Sequence, residues 1–293
     1  MGAWIRTSKR RLCPICGANH YCGISADGEI VHCMNEPADW KCSTGGGGWF
    51  HRLIEAPDRG QFHRHRRTTP PPAPELRIDC DAILAAWVRS GGQERVDVEA
   101  DVLGLTGANL RILGATWASD RDALAFPMYD SDENVVGIRL RATTGDKWAV
   151  TGSKAGVFLP AGRMSDIPDV VLVCEGPTDT AALLDLGFYA IGRPSCLGQE
   201  DLVGALVCGR NVVIVADRDD PKTRRDGSTW YPGEEGATQL ANTLLGHGHV
   251  KAIKVIKPPA PWKDARAWKR GGATHAIVQA VIQNMGLWAR KEK

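Results

Sequence analysis

From Asp169 onward the chain alternates short apolar runs with amphipathic stretches, and this rhythm constrains the fold more than any other feature. Residues 170–174, Val-Val-Leu-Val-Cys, and residues 212–216, Val-Val-Ile-Val-Ala, are apolar at every position. They are short for helices and lack the polar alternation of a half-exposed strand, so they predict strands buried on both faces. TDTAALLDLGF reads as a helix, YAIGRPS as a short strand, EEGATQLANTLLGHG as a helix ending in Gly, and VKAIKVIKP as a strand. This succession predicts an α/β fold, a mainly parallel sheet covered by helices.

Acids follow directly on both buried runs. The first run leads into Glu175-Gly176-Pro177-Thr178-Asp179, and the second into Asp217-Arg218-Asp219-Asp220. In an open parallel sheet, ligands bind beyond the carboxyl ends of the strands, so the two motifs are expected to share one crevice. Asp217 and Asp219 are two apart on an extended segment and face the same way. Asp179 lies one helical turn beyond Glu175. Carboxylates so grouped suit Mg²⁺, which takes oxygen ligands and keeps room for water and phosphate. Either motif alone reads better as a loop start or helix cap; the pair, on consecutive core strands with the same polarity, reverses that and favours chemistry.

The other end of the chain has a different character. Of nine cysteines, five fall within the first 42 residues. An odd, clustered count without an export signal points to metal rather than disulfides. Cys13-Pro14-Ile15-Cys16-Gly17 forms a knuckle, and YCGISADGEIVHC reads as a hairpin turning at Ala26-Asp27-Gly28 that brings Cys33 back to it. Structural zinc takes four N or S ligands. Cys13, Cys16 and Cys33 are three; Cys42, next on the return path, is taken as the fourth, with Cys22, His51, His20 and His32 as alternatives. Cys80, Cys174, Cys196 and Cys208 sit in apolar surroundings and are expected to be buried as small hydrophobes.

Between these regions Ala56–Glu75 holds four arginines, two histidines and five prolines without apolar periodicity, which marks a linker. DCDAILAAWVRSG predicts a helix capped by Asp79 or Asp81, followed by a helical pair broken at Gly107. Asp130–Asn134 lies between two apolar runs and predicts a hairpin turn; KWAVTGSKAGVFLP continues in short strands, and helices near Lys263–Lys269 and Ala273–Met285 follow the last strand. The expected segments are a zinc-binding ribbon at 1–55, the linker at 56–75, a basic segment at 76–168, the acidic parallel sheet at 169–258 and C-terminal helices at 259–293. Net charge is +2, so nucleic-acid contact would need local patches. No apolar run approaches the roughly 18 residues of a membrane helix, no P-loop is present, and the N-terminus has no apolar core; the expected location is the cytoplasm.

Residues 169–256 resemble a TOPRIM domain, the fold of DnaG-type primases, type IA and type II topoisomerases and some nucleases. Glu175, Gly176 and Asp179 match its Glu-Gly-x-x-Asp, and Asp217 and Asp219 its Asp-x-Asp. The resemblance implies an acid/base glutamate and aspartates that hold Mg²⁺ or Mn²⁺. KPPAPWKDARAWKRGG resembles the Lys-Asp-x-x-x-Trp segment of phage and plasmid TOPRIM primases and adds Asp264 as a metal candidate. ALAFPMYDSDENVVGIRLRATTGDKWAV resembles the segment preceding TOPRIM in DnaG-type primases, which implies nucleic-acid or nucleotide contacts for Arg139, Arg141 and Lys147. The cysteine-rich head is similar to primase zinc ribbons. One departure is PKTRRDGSTWYPGEE, inserted after the Asp-x-Asp, whose Lys222, Arg224 and Arg225 suit phosphate contact or a surface loop.

The resemblance implies a primase that makes short RNA primers on single-stranded DNA from nucleoside triphosphates, beside a separate replicative helicase. A nuclease and a non-catalytic nucleic-acid-binding adaptor are the alternatives. None of the four tyrosines sits in a setting that fits a topoisomerase nucleophile.

Overall fold

The computed structural model describes residues 4–38, 40–41, 47–53, 78–160, 167–224, 226–248 and 250–288. The chain forms two compact units, Met1–Pro71 and Pro72–Lys293. The linker expected at 56–75 lies outside the described residues.

The first unit is a five-stranded antiparallel sheet of β1 (Trp4–Arg6), β2 (Gly23–Ser25), β3 (Ile30–Cys33), β4 (Trp40–Lys41) and β5 (Trp49–Arg52), in the order β1-β2-β3-β5-β4. The expected hairpin joins β2 and β3. Gly28 takes a left-handed φ of 75° at its turn, and the Asp27 carboxylate accepts from the Ser25 hydroxyl and the Glu29 N–H. The apolar cluster is small: Cys13, Cys22, Val31 and Cys33, with Ile15, Ile24 and Met34 against them. A core of this size calls for a metal or another cross-link.

The second unit begins with helices α1 (Cys80–Arg89), α2 (Gly92–Leu103) and α3 (Gly107–Ile112). Of the two candidate caps it is Asp79 that accepts the Ala82 N–H, at 2.9 Å. The helical pair breaks at Gly104, not Gly107. Gly104 caps α2 in the left-handed conformation, and Thr106 starts the next helix by accepting from the Asn109 N–H; Gly107 is its first residue.

Next comes an antiparallel sheet of β6 (Thr116–Ala118), β7 (Ala123–Tyr129), β8 (Val135–Ala142) and β9 (Lys147–Ala149). The β7–β8 turn falls at the expected acids, with the Asp130 carboxylate accepting the N–H groups of Asp132 and Asn134, both at 2.9 Å. Every residue of β7 is buried. Leu124, Phe126 and Met128 pack with α2 and α3, while Ala123 and Ala125 meet Trp87 of α1 and Leu140 of β8.

The remainder is the predicted alternation: β10 (Val170–Glu175), α4 (Pro177–Asp185), β11 (Ala190–Arg193), α5 (Glu200–Leu206), β12 (Asn211–Val215), the hairpin β13 (Lys222–Thr223) and β14 (Thr229–Trp230), α6 (Pro232–Gly246), β15 (Ala252–Ile256), α7 (Ala265–Arg270) and α8 (His275–Asn284). The four long strands form a parallel sheet ordered β11-β10-β12-β15. Its central strands explain the unbroken apolar runs. Val171, Val173 and Ile214 face Val203, Leu240 and Leu244 of α5 and α6. Leu172, Cys174, Val213 and Val215 face Leu183 of α4, Trp268 of α7 and Val278 and Ile282 of α8. Phe158 and Gly192 exchange backbone hydrogen bonds at 2.8 Å, which ties the segment after β9 to the sheet.

A polar junction around the buried Asp185 side chain fixes α7 on α3 and α4. The Asp185 carboxylate accepts from the Thr106 N–H (3.0 Å) and hydroxyl (2.5 Å) and from the Asn109 amide (2.7 Å). Lys269 of α7 completes it at 2.8 Å. Cys80 and Cys174 are buried as expected, but Cys196 is half-buried and Cys208 exposed. Cys208 follows α5 in a turn, and Cys196 sits in the loop between β11 and α5, where it borders the carboxyl ends of β10 and β12. Among the described residues no helix is long and apolar enough to cross a membrane.

Candidate metal centre and nucleic-acid interface

The carboxylates meet because β10 and β12 are parallel neighbours. Val173 pairs with Ile214, and continuing that register brings Glu175 level with Ala216, one residue before Asp217. Gly176 then turns the chain with φ 78° into α4, whose first turn carries Asp179. A side chain at Gly176 would be strained whatever the space around it.

The third arm is α7. Asp264 caps this helix by accepting the Ala267 N–H at 2.7 Å, and the next free N–H, from Arg266, donates to Asp179 at 2.8 Å. Two carboxylates thus share the unpaired N–H groups of one helix start. Asp219 accepts the Gly233 N–H from the start of α6 at 2.9 Å, and Lys263 stands 3.4 Å from its other oxygen.

Electrostatics register the convergence. Asp217 is pushed up to about 9, first by burial and then by Asp179, Glu175, Asp264 and Asp219. Burial and Asp264 push Asp179 up to about 7, against the Arg266 N–H and guanidinium and Lys147. Burial raises Glu175 and Asp219 adds to it, while Lys147, Arg193 and Lys263 oppose. A group this crowded with negative charge calls for a cation at its centre. The donors are all oxygen, which fits Mg²⁺ or Mn²⁺.

The predicted cations divide. Arg141 on β8 and Lys147 on β9 pair across the antiparallel sheet and both lie within electrostatic range of the acids. Burial and Arg266 lower Arg141, and Asp179 and Asp264 oppose them; Lys147 acts on Glu175 and Asp179. Arg139 pairs with Phe126 and Ala149, two residues from Arg141; no contact draws it to the carboxylates. Lys222 is exposed on β13, and Arg224 is held by Glu235 and by the Trp230 ring. Arg225 lies outside the described residues.

Sequence reasoning missed three cations. Arg193 ends β11 in register with Glu175. It is buried, bonded only at 3.4–3.6 Å to Gly198, Gly236 and Glu200, and its Nε has no partner. Lys263 and Arg266 flank Asp264. The rule applied to the acids, a polar residue at the carboxyl end of a core strand, also selects Arg193.

In the first unit the ligand atoms of Cys13, Cys16, Cys22 and Cys33 all lie within 4.8 Å of one another. Cys16 and Cys22 are 3.7 Å apart, against an edge of about 3.8 Å for a tetrahedron with Zn–S of about 2.3 Å. Donors already surround the sulfurs: Asn35 amide to Cys16, Met34 N–H to Cys22 and Glu36 N–H to Cys33, at 3.2–3.4 Å. Burial is the largest influence on Cys16, yet hydrogen bonds, chiefly from Ala18 and Asn35, hold it at about 7; burial pushes Cys22 up to about 12. Four sulfurs this close suit a cation that would displace their protons, and zinc fits the donor set.

Cys22, one of the alternatives that the spacing allowed, is the fourth cysteine of this cluster, because the residue just before β2 lies beside the end of β3; Cys42, the expected fourth ligand, lies outside the described residues. His51 and His32 lie against the carbonyls of Glu36 and Gly47, and His20 against Asn19.

Trp4, His32 and Phe50 cluster on this unit's sheet, with centroids 4.8–6.2 Å apart. Arg6 and Arg52 share strand faces with Trp4 and Phe50. An exposed Trp among arginines is the composition of a stacking platform for unpaired bases.

No protein-family model and no curated protein match the chain. Solved structures do. A DnaG catalytic core is 15% identical over 70% of this chain and 79% of that one, with TM-score 0.53. A DnaG primase catalytic domain bound to single-stranded DNA is 16% identical over 69% and 80%, with TM-score 0.50. Over about 70% of its length this chain has the fold of the DnaG primase catalytic cores.

Proposed function

We propose that the chain is a DNA primase, joining nucleoside triphosphates into short RNA primers on single-stranded DNA. The observation that carries this reading is the meeting of Glu175, Asp179, Asp217, Asp219 and Asp264 at one sheet edge, with Arg141 and Lys147 facing them.

Asp217, Asp219 and Asp264 would hold Mg²⁺ or Mn²⁺, which when bound offsets charge on the phosphate oxygens. Lys147 and Arg141 orient the triphosphate. Glu175, raised by burial and by Asp219, is suited to take the proton of the attacking 3′-hydroxyl or to help hold metal. The O3′–Pα bond forms, the bond from Pα to the bridging oxygen breaks, and pyrophosphate leaves. The head's zinc is structural, and its Trp4–His32–Phe50 face receives template bases. A separate replicative helicase is the expected partner.

The test is incorporation of labelled ribonucleotides on single-stranded DNA with Mg²⁺ or Mn²⁺. Short products from the wild type and none from Asp217→Ala/Asp219→Ala support the reading. Metal-dependent cutting of the template replaces it with a nuclease, and binding without either reaction with an adaptor.

A further inference from the structure

The segment inserted after the Asp-x-Asp is folded. Lys222 pairs with Trp230, and the Asp226 carboxylate accepts from both the N–H and hydroxyl of Ser228 across the turn. Between this hairpin and α6 runs a groove of about 1100 Å³, bordered by Leu197, Arg224, Trp230, Tyr231, Gln239 and Asn242.

We infer that this groove is a second site for single-stranded DNA, seating one or two unpaired bases of the strand engaged at the carboxylate centre. The inference rests on the reading of the chain as one that works on single-stranded DNA.

Three observations carry it. Leu197 and Tyr231 leave 44% and 43% of their surface exposed; the Tyr231 ring and the Trp230 face away from Arg224 offer stacking area to any base, with Leu197 as apolar wall. The α6 wall presents amides at Gln239 and Asn242, three apart on one helix face. The Gln239 NH₂ donates to Glu200 and the Asn242 carbonyl accepts from Trp288, so each keeps the other half of its amide for a base edge. The groove's acids are neutralised in place, Glu234 by Lys257 at 2.6 Å and Glu235 by Arg224, while Lys222 stands exposed for a phosphate.

Position names the occupant. Tyr231 is two residues before Gly233, whose N–H holds Asp219, so the Tyr231 end of the groove is the end nearer the proposed metal centre, on the side from which a strand held at the acids would enter it.

The experiment is photocrosslinking of the full chain to a thymidine oligonucleotide carrying 4-thiothymidine, with mapping of the adducts. Anisotropy of the same oligonucleotide is measured with wild type, Tyr231→Ala and Tyr231→Phe. We expect adducts at Trp230 or Tyr231, binding weakened roughly five- to tenfold by Tyr231→Ala, and recovery in Tyr231→Phe, which keeps the ring. Adducts confined to other surfaces, or Tyr231→Ala binding as wild type does, overturn the inference. Neither readout requires primer synthesis: a chain that crosslinks in the groove but makes no primer removes the primase reading and leaves the groove, and the converse removes only the groove.

Discussion

The head and the sheet edge gather potential anions in opposite ways. In the head four sulfurs lie within 4.8 Å of one another, next to a core of a few apolar residues, with N–H donors already on three of them. At the sheet edge five carboxylates reach one region from β10, α4, the end of β12 and α7, on a framework with a full apolar core of its own. Among the described residues only the cysteines form a set whose ligand atoms all approach so closely. The carboxylate oxygens are spread more widely, as suits an ion that also takes water and phosphate oxygens. A closed set of soft ligands suits a permanent structural ion; an open set of hard ligands suits one that is exchanged and used.

Mutation should separate the two. The largest expected effect is on catalysis: Asp217→Ala/Asp219→Ala lowers primer synthesis by on the order of a thousandfold or more, because metal-borne charge stabilisation is worth several kcal/mol. Zinc content and the melting transition of the core should stay intact. Full activity in this variant breaks the comparison at once.

Next is Cys22→Ser, which should cost the chain its zinc and unfold the head, since zinc binding is folding energy in so small a unit. Elemental analysis should find about one zinc in the wild type and in Cys42→Ser, and none in Cys22→Ser. Zinc lost from Cys42→Ser and kept by Cys22→Ser reverses the ligand assignment.

Asp185→Ala should destabilise the core by about 3 kcal/mol in urea unfolding, because it strands Lys269 and the partners on α3 beneath α7. An unchanged midpoint would mean that α7 is placed by Trp268 packing alone.

The smallest effect is on pH dependence. Unfolded, Asp179 and Asp217 release their protons near 3.8; folded, only near 7 and 9. For a carboxyl raised by folding, stability is full below the unfolded value and is lost as pH rises through the folded one. Zinc-loaded chain without other divalent ions should thus melt at lower temperature as pH rises from about 4 to about 9. Mg²⁺ or Asp217→Asn should reduce that loss. A melting temperature that rises over this window contradicts the crowding of the acids.

Much of this was legible in the sequence. Val170–Cys174 and Val212–Ala216 could hardly be other than buried strands, and the polarity of a parallel sheet then placed Glu175 and Asp217 together. What was not legible depends on contacts distant in the chain. Asp264 reads as a helix cap and is one; that its helix also donates to Asp179, 87 residues away, is decided by how α7 packs on α4. The same holds for Cys22: spacing allowed several fourth ligands, and only the β2–β3 pairing selected one. Gly107 was misread because two glycines three apart look alike until Thr106 is seen to cap.

The measurement that tests the central claim most directly is Mn²⁺ titration of the zinc-loaded full chain by electron paramagnetic resonance, comparing wild type with Asp217→Asn/Asp219→Asn. The account predicts Mn²⁺ bound by the wild type, binding lost in the variant, and zinc content unchanged in both. Equal Mn²⁺ binding by the two proteins would contradict it and remove the sheet edge as the metal centre.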